Sequence, residues 1–273
     1  MDRNIKEAEF TIFDTETTGL DPESGDRIVE IAGIRFRGKS RLSAFQALVN
    51  PSRAVSEGAF QVNKITQDML VCAPKMEEVL PKFLDFIRGS CLCSYNAPFD
   101  LGFLNAEIKL LGRESPKDIL VVDILAMART LLPDLESYAL GFVTENLGLE
   151  CEQKHRALDD AELTLRVFNK LVDILEGKGI VDFNSLASLF SLNLHTMQDL
   201  NNKKIARIQE AIDLGVRLKI KYFSRSSLQL SEREVVPKEI RQDKKYSYLV
   251  GFCCLKGQER TFRIDSILNA EII

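Results

Sequence analysis

Near its start the chain reads Phe13-Asp14-Thr15-Glu16-Thr17-Thr18-Gly19-Leu20, directly after the apolar run Phe10-Thr11-Ile12. The apolar run predicts a β-strand, on which residues two apart project from the same face. The carboxylates of Asp14 and Glu16 are therefore expected side by side, where two like charges favour a bound cation such as Mg²⁺ or Mn²⁺. An exposed strand end with two acidic residues explains the same pattern, so this stretch alone leaves both interpretations open.

A second stretch adds another carboxylate in a position that suits a pocket. Asp100 ends the segment Asn96-Ala97-Pro98-Phe99-Asp100, which follows the apolar run 91–95 and opens a predicted helix over 101–111. A strand-to-helix junction of this kind is a place where a carboxylate can face a ligand.

A third stretch, His155-Arg156-Ala157-Leu158-Asp159-Asp160, contributes a histidine. On one continuous helix, His155 and Asp160 would be separated by roughly 140° around the helix axis. We therefore expect His155 in the loop before a helix and Asp160 in the first helical turn, facing the interior. The interior-facing positions that continue from Asp160 are Thr164, Val167 and Leu171.

Taken in this order, the three stretches resemble the signature motifs of the DEDDh (DnaQ-like) 3′→5′ exonucleases. Segments 122–129 and 140–148 are also similar to that family, so the resemblance covers about residues 8 to 175. It implies a ribonuclease-H-like fold, a site for two divalent metal ions, Mg²⁺ or Mn²⁺, and removal of nucleotides from a 3′ end. Carried over by motif, it makes His155 the general base and implies as metal ligands Asp14, Glu16, Asp100 and Asp160.

These residue types also suit phosphodiester hydrolysis on chemical grounds. The reaction needs an attacking hydroxide, neutralisation of the phosphoryl oxygens and a stabilised leaving alkoxide, which two metal ions about 4 Å apart can provide. Four carboxylates would offset most of the charge of two divalent ions. A neutral histidine can take a proton from the attacking water near pH 7. The structural alternative for His155 is a loop histidine that caps the following helix.

Residues next to the motifs are candidates for contact with the substrate: Thr17, Thr18, Leu20, Asn96 and Phe99. The turn after the first predicted strand can offer N–H groups and hydroxyls to the terminal nucleotide, and a leucine can wedge against its base. A β-turn closed by glycine and an aromatic side chain in the core are the structural alternatives. Segment 63–66 reads Asn-Lys-Ile-Thr where many relatives carry His-Gly-Ile-Thr, which leaves its substrate contacts open.

The pattern of predicted elements indicates an α/β protein. Three strands, near 9–16, 28–37 and 42–49, are joined as in an antiparallel meander, and strands then alternate with helices up to a long helix over 157–175. The resemblance specifies this arrangement as a ribonuclease-H-like mixed sheet with helices on both faces. The predicted domains are an exonuclease domain over 1–178, a linker with short helices over 179–204 and a C-terminal domain over 205–273.

The C-terminal domain resembles the WYL domain through segments 211–222, 233–237, 248–251 and 260–267, although the chain contains no tryptophan. The resemblance implies a small SH3-like β-barrel that in relatives binds nucleic acid or a small ligand. A helix is predicted over 205–214 and strands near 216–223, 231–236, 246–254 and 259–264. Candidate ligand contacts are Arg233, Arg260 and Arg263, for which solvated charges on a strand face are an equally good explanation.

Composition limits the partners. The 273 residues carry a formal net charge of −4, which argues against broad phosphate neutralisation along duplex DNA and favours local contact with a single-stranded end. Apolar runs fall short of membrane-spanning length and the first residues form no signal peptide, so we expect a cytoplasmic protein without a membrane partner. The six cysteines lack metal-ligand spacing and indicate a reduced compartment.

The sequence therefore predicts a metal-dependent exonuclease that hydrolyses phosphodiester bonds at the 3′ end of single-stranded DNA or RNA. DNA is favoured, although residue spacing does not reveal a contact to a 2′-hydroxyl. The hypothesis includes a proofreading or repair role, a polymerase or another replication or repair protein as partner, and a C-terminal domain that senses nucleic acid or a ligand. The alternative is a non-catalytic nucleic-acid-binding regulatory protein built on an exonuclease fold.

Overall fold

The computed structural model describes residues 3–113, 119–150, 155–192, 194–243 and 246–273. The chain divides into two compact units, one formed by residues 4–173 and the other by residues 174–273 together with the first three residues. None of the helices in these ranges is long and apolar enough to cross a bilayer. Free thiols are present at Cys72, Cys91, Cys93, Cys253 and Cys254, whereas Cys151 lies outside the described residues.

The first unit is built on a five-stranded mixed sheet with the strand order β3-β2-β1-β4-β5. The strands are β1 (Glu9–Thr17), β2 (Ile28–Arg37), β3 (Ser40–Leu48), β4 (Cys91–Ser94) and β5 (Val121–Asp123). The first three form the predicted antiparallel meander, and β4 and β5 run parallel to β1. Parallel neighbours need a crossover connection, which a helix supplies between β4 and β5.

Helices cover both faces of this sheet. They are α1 (Glu57–Asn63), α2 (Gln67–Val71), α3 (Met76–Ile87), α4 (Ala97–Leu110), α5 (Ile124–Leu131), α6 (Leu140–Asn146) and α7 (Ala157–Gly177). Strands β2 and β4 are buried at consecutive positions, which requires cover on both faces, whereas a half-exposed strand would alternate. The predicted α/β class and mixed sheet are confirmed.

The second unit contains α8 (Phe183–Phe190), α9 (Leu194–Leu214) and a five-stranded antiparallel sheet of order β10-β6-β7-β8-β9. Its strands are β6 (Leu218–Ser224), β7 (Gln229–Asp243), β8 (Tyr246–Cys253), β9 (Gln258–Arg263) and β10 (Ile267–Ile272). Ile208 and Ala211 of α9 pack against the apolar face of the sheet, where Leu218, Ile220 and Leu249 are buried. This is the small C-terminal β domain that the sequence predicts.

Two features of the second unit differ from the predicted elements. Strand β10 was missed because its buried residues, Ile267 and Ala270, are three apart, and a register irregularity between Ile267 and Asn269 breaks the period of two. Helix α9 begins at Leu194 instead of residue 205. Helix α8, in the segment predicted as a linker, packs against α9 and β10. The domain boundaries themselves stay a prediction.

Candidate active site

Three carboxylates from two elements meet beside the C-terminal end of β1. Asp14 and Glu16 lie on β1, and Asp160 lies in the first turn of α7. One oxygen of each carboxylate lies within 4.8 Å of the other two. Glu16 stands at a bulge, since the register between β1 and β2 shifts between Glu16 and Thr17. Bulges commonly re-aim side chains next to functional sites.

The pKa values of Asp14 and Glu16 are raised because negative charges are crowded together in a buried place. Burial raises the pKa of Asp14 well above its ordinary value, and the neighbouring charges, that of Asp100 first, add to the effect. Burial, followed by the charges of Asp160 and Glu30, raises the pKa of Glu16 to about 8. A cation would relieve this repulsion, and carboxylate oxygens are the donors that hard divalent ions prefer. The donor set therefore fits a divalent metal.

Asp100 lies beside this group of three and is not a member of it. Because α4 begins at Ala97, Asp100 sits within its first turn. Its Oδ1 accepts hydrogen bonds from the Thr15 N–H (3.0 Å) and hydroxyl (2.6 Å), and its Oδ2 accepts one from the Ser94 hydroxyl. Burial raises the pKa of Asp100 to about 6, although these hydrogen bonds act to lower it. The carboxylate thus joins α4 to strands β1 and β4.

His155 lies two residues before the start of α7, in the connection where the five-residue spacing predicts it. Its backbone is in the left-handed region (φ 51°), which is uncommon for a residue other than glycine. Nδ1 of His155 lies 3.8 Å from Oδ2 of Asp160, and 45% of the imidazole side chain is exposed. The histidine therefore stands next to the carboxylates with one side open to solvent.

A buried ion pair next to the carboxylates was missed in the sequence. Glu30 on β2 lies opposite Glu16 in the sheet and is fully buried. Arg156 donates two hydrogen bonds to it, from Nε at 2.9 Å and from Nη2 at 2.7 Å. The Ala157 N–H and the Gln46 amide donate two more. Burial raises the pKa of Glu30, but these hydrogen bonds outweigh burial and lower it below its ordinary value. Arg156, which directly follows His155 in the third stretch, was the residue in the sequence that could have indicated this pair.

A cleft of about 730 Å³ opens next to Glu16. Of the predicted substrate contacts, Thr17, Leu20 and Phe99 line it. Leu20 is 83% exposed, so its side chain is available to a ligand in the cleft. Asn96 is exposed at the start of α4, in a left-handed backbone conformation, and is not part of the lining.

Thr18 is engaged in hydrogen bonds within the turn, and its contact with the substrate stays a prediction. It is fully buried, its hydroxyl donates to Oδ1 of Asp26 (2.8 Å), and its N–H donates to the Arg27 carbonyl (2.9 Å). The adjacent Gly19 is needed because a Cβ there would lie 2.2 Å from Oδ2 of Asp26. Thr18 and Asp26 thereby fix the turn that carries Leu20.

Asn63 is a further cleft residue, and it lies in the segment whose contacts the sequence left open. Its side-chain N–H donates to the Thr17 carbonyl (3.3 Å), and its Oδ1 accepts from the Ile65 N–H (3.0 Å). A hydrogen bond from Asn63 also lowers the pKa of Glu16, against the larger raising effect of burial. Asn63 therefore holds both Thr17 and Glu16 in place.

The residues that form this site fall within one family match. The RNase_T exonuclease family model matches residues 11–168. The chain belongs to this exonuclease family. A WYL domain model matches residues 203–272, which confirms the second resemblance. The first unit therefore contains a nuclease domain, and its acidic group is suited to the divalent metal on which the family depends.

Among curated proteins, the chain is similar to PolC-type DNA polymerases III. The polymerase of Thermotoga maritima is 32% identical to this chain over an alignment 279 residues long. The alignment covers 99% of this chain and 20% of the polymerase. That of Caldanaerobacter subterraneus subsp. tengcongensis is 31% identical over 255 residues, which cover 92% of this chain and 18% of the polymerase. The chain spans about a fifth of the length of these curated relatives.

Solved structures are similar to this chain in fold. The structure of Exonuclease X in complex with 5′ overhanging duplex DNA is 28% identical, with a TM-score of 0.50 over 62% of this chain and 93% of that chain. Exonuclease I (apo) is 14% identical, with a TM-score of 0.54 over 95% of this chain and 63% of that chain. The ribonuclease-H-like fold predicted for the first unit is thereby confirmed.

The arginines predicted as ligand contacts in the WYL domain have different surroundings. The Arg263 guanidinium lies 3.8 Å from the centroid of the Tyr246 ring and donates to both oxygens of Asp265. Nε of Arg233 donates to the Ser231 hydroxyl (3.1 Å). Arg260 is exposed on β9. Arg263 is thus held by internal contacts, whereas Arg260 faces solvent.

Proposed function

We propose that this protein is a metal-dependent 3′→5′ exonuclease that acts on the 3′ end of single-stranded nucleic acid, on DNA in preference to RNA. The observation that carries the proposal is the meeting of Asp14, Glu16 and Asp160 within 4.8 Å, with His155 beside them. The adjoining cleft has the volume of a small-molecule site and can take a terminal nucleotide. A protein that only binds nucleic acid has no need of such mutually repelling carboxylates.

Each residue has a role in this proposal. The two metal ions would be held by the carboxylates of Asp14, Glu16, Asp100 and Asp160. Bound divalent ions would neutralise the phosphate and lower the cost of forming the attacking hydroxide. His155 acts as the general base that accepts the proton of the attacking water.

The cleft residues support a nucleotide substrate. We assign Thr17, Leu20 and Phe99 to the terminal nucleotide, with Leu20 packed against its base, and Asn96 to the exposed entrance of the site. The duplex DNA in the Exonuclease X structure supports DNA as the substrate. The similarity to PolC-type polymerases supports proofreading or repair in association with a polymerase.

Digestion of matched DNA and RNA oligonucleotides, labelled at either end, tests direction and substrate together. We expect release of mononucleotides that depends on Mg²⁺ or Mn²⁺, with the 3′ label released first and DNA degraded faster than RNA. Binding of intact oligonucleotides without any degradation would favour the non-catalytic regulatory protein instead.

Replacement of His155 tests the assignment of the base. His155→Ala is expected to lower the hydrolysis rate by roughly two to four orders of magnitude, the usual contribution of general-base catalysis. Metal affinity, measured by titration calorimetry, should change little because the imidazole is not a metal ligand in this proposal. A collapse of metal binding in this variant would reassign His155 as a ligand.

We further propose that the WYL domain senses nucleic acid or a ligand through the predicted contacts Arg233, Arg260 and Arg263. Arg260 is exposed on β9, and Arg233 lies on β7 of the same sheet. The proposed limits are an exonuclease domain over 1–178, a connecting segment over 179–204 and the WYL domain over 205–273. The match over residues 203–272 supports the last of these limits.

A further inference from the structure

A polar cavity of about 310 Å³ lies inside the second unit, lined by residues from α8, α9, β6 and β10. Its charged lining residues are Asp182, Lys203, Lys204 and Lys221. The carboxylate of Asp182 is already engaged as the N-cap of α8, where it accepts hydrogen bonds from the Ser185 N–H (2.8 Å) and hydroxyl (2.7 Å). Its negative charge remains, but three lysines face this one carboxylate, so the described lining has a formal net charge of +2.

The positive charge of these lysines is not compensated by ion pairs. Over the ranges that the structure describes, Lys203, Lys204 and Lys221 form no ion pair with a carboxylate. By contrast, Lys219, two residues before Lys221 on the same strand, pairs with Glu232 at 2.9 Å. Three cations around one cavity repel one another, so an anion bound among them would be stabilised by all three.

Lys204 is the most informative member of this group. Its Nζ donates to the Ser188 hydroxyl (2.7 Å), and that hydroxyl donates to the Asp265 carbonyl (3.1 Å). Burial lowers the pKa of Lys204 to about 8, and the charge of Asp265 opposes this effect only in part. A partly buried ammonium without a carboxylate partner loses hydration that no opposite charge replaces. Its position on a cavity wall suits an anionic ligand that would supply the missing charge.

We propose that this cavity binds a small phosphorylated ligand of the size of a nucleoside monophosphate, with Lys203, Lys204 and Lys221 around the phosphate. Ammonium groups are compact cations that bind phosphate as point charges. The cavity volume lies at the lower end of the range for small-molecule sites, which favours a mononucleotide over a larger ligand. Asn269 lines the same cavity and can hydrogen-bond the uncharged part of the ligand. The proposal does not rest on the exonuclease activity.

Titration calorimetry on the full chain tests this proposal with inorganic phosphate, deoxyadenosine monophosphate and deoxyadenosine at constant ionic strength. EDTA is present throughout, so that the carboxylates of the first unit lack a metal and repel phosphate. We expect saturable binding of the monophosphate and none of deoxyadenosine. Tighter binding of the monophosphate than of phosphate would identify a nucleotide as the ligand, and equal binding would identify the phosphate group alone. An absence of saturable binding by either anion would overturn the proposal.

Single substitutions locate the binding. Lys221→Gln and Lys203→Gln should each weaken binding of the monophosphate by about tenfold, because each removes a charged hydrogen-bond donor. Lys219→Gln is the matched control, since it removes the same charge from the same strand outside the cavity, and it should bind as the wild type does. Lys204→Met should have the largest effect, and the two glutamine variants decide the question if it fails to fold. Equal weakening by Lys219→Gln and Lys221→Gln would show a general charge effect and contradict the site.

Discussion

Asp14, Glu16 and Asp160 crowd carboxylates together, and burial and repulsion raise the pKa values of Asp14 and Glu16, so a bound cation would relieve the site. Asp160→Ala is therefore expected to abolish turnover and to weaken Mg²⁺ binding, while the melting temperature in EDTA holds or rises. Asp159→Ala is the matched control, since Asp159 is the exposed neighbour on the same helix. Near-wild-type activity of Asp160→Ala under added Mg²⁺ would contradict the metal assignment.

The raised pKa of Glu16 predicts a dependence of stability on pH. Between its ordinary value of 4.5 and about 8, Glu16 keeps its proton in the folded protein but loses it in the unfolded chain. The unfolded state then binds fewer protons, so the contribution of Glu16 to stability decreases as pH rises through this window. Thermal unfolding in EDTA should show Glu16→Gln gaining stability relative to the wild type from pH 4.5 to 8. A constant difference between the two proteins across this range would refute the assignment.

At the scale of secondary-structure elements, the start of α7 depends on the pair of Arg156 and Glu30. Arg156→Met leaves the Glu30 carboxylate buried without its cation, which typically costs about 3–5 kcal/mol. Urea denaturation should show this loss of stability. Activity should also fall, because the substituted position lies between His155 and Asp160 in the chain. The double variant Glu30→Gln/Arg156→Met should recover part of the stability, since it leaves no unpaired buried charge.

A second ion pair provides a matched control at the same scale. Arg41 on β3 pairs with Glu162 on α7, and both side chains are well exposed (46% and 39%). Because exposed pairs contribute about 0–1 kcal/mol, Arg41→Met should change stability little. If Arg41→Met and Arg156→Met lost comparable stability, the burial of Glu30 would not explain the contribution of the Arg156–Glu30 pair.

At the scale of the whole molecule, the division into two units predicts the behaviour of a truncated chain. A chain that ends near residue 180 keeps α7 complete and keeps every proposed catalytic residue. It should fold and retain metal-dependent cleavage of short single strands, because the first unit has its own core. Circular dichroism and the oligonucleotide assay check these two expectations.

The same truncation tests whether the WYL domain contacts nucleic acid. Binding of a longer single strand, measured over a salt series, should be weaker for the truncated chain and should fall less steeply with salt, because Arg233, Arg260 and Arg263 are absent from it. Identical affinities and identical salt slopes would exclude nucleic acid as the partner of this domain and leave a small ligand or a protein.

Residue spacing in short stretches of the sequence was sufficient to predict which strand and helix positions carry the acidic residues and the histidine. The period-two relation of Asp14 and Glu16 places both on one face of β1, and the five-residue spacing places His155 before α7 and Asp160 within it. Both predictions follow from backbone geometry, which depends only on neighbouring residues. The motifs that resemble the exonuclease family lie in these same short stretches.

Only the tertiary structure decided how distant segments complete the site. Glu30 and Arg156 are separated by 126 positions in the chain, and no local pattern relates a strand carboxylate to a guanidinium that far away. The fold also places the Asp26 carboxylate against the Thr18 hydroxyl, a partner that the sequence did not reveal. The basic cavity likewise arises because α9 and β6 bring Lys203, Lys204 and Lys221 together. Side-chain partners are set by packing between elements, whereas strand and helix faces are set by the periodicity of the chain itself.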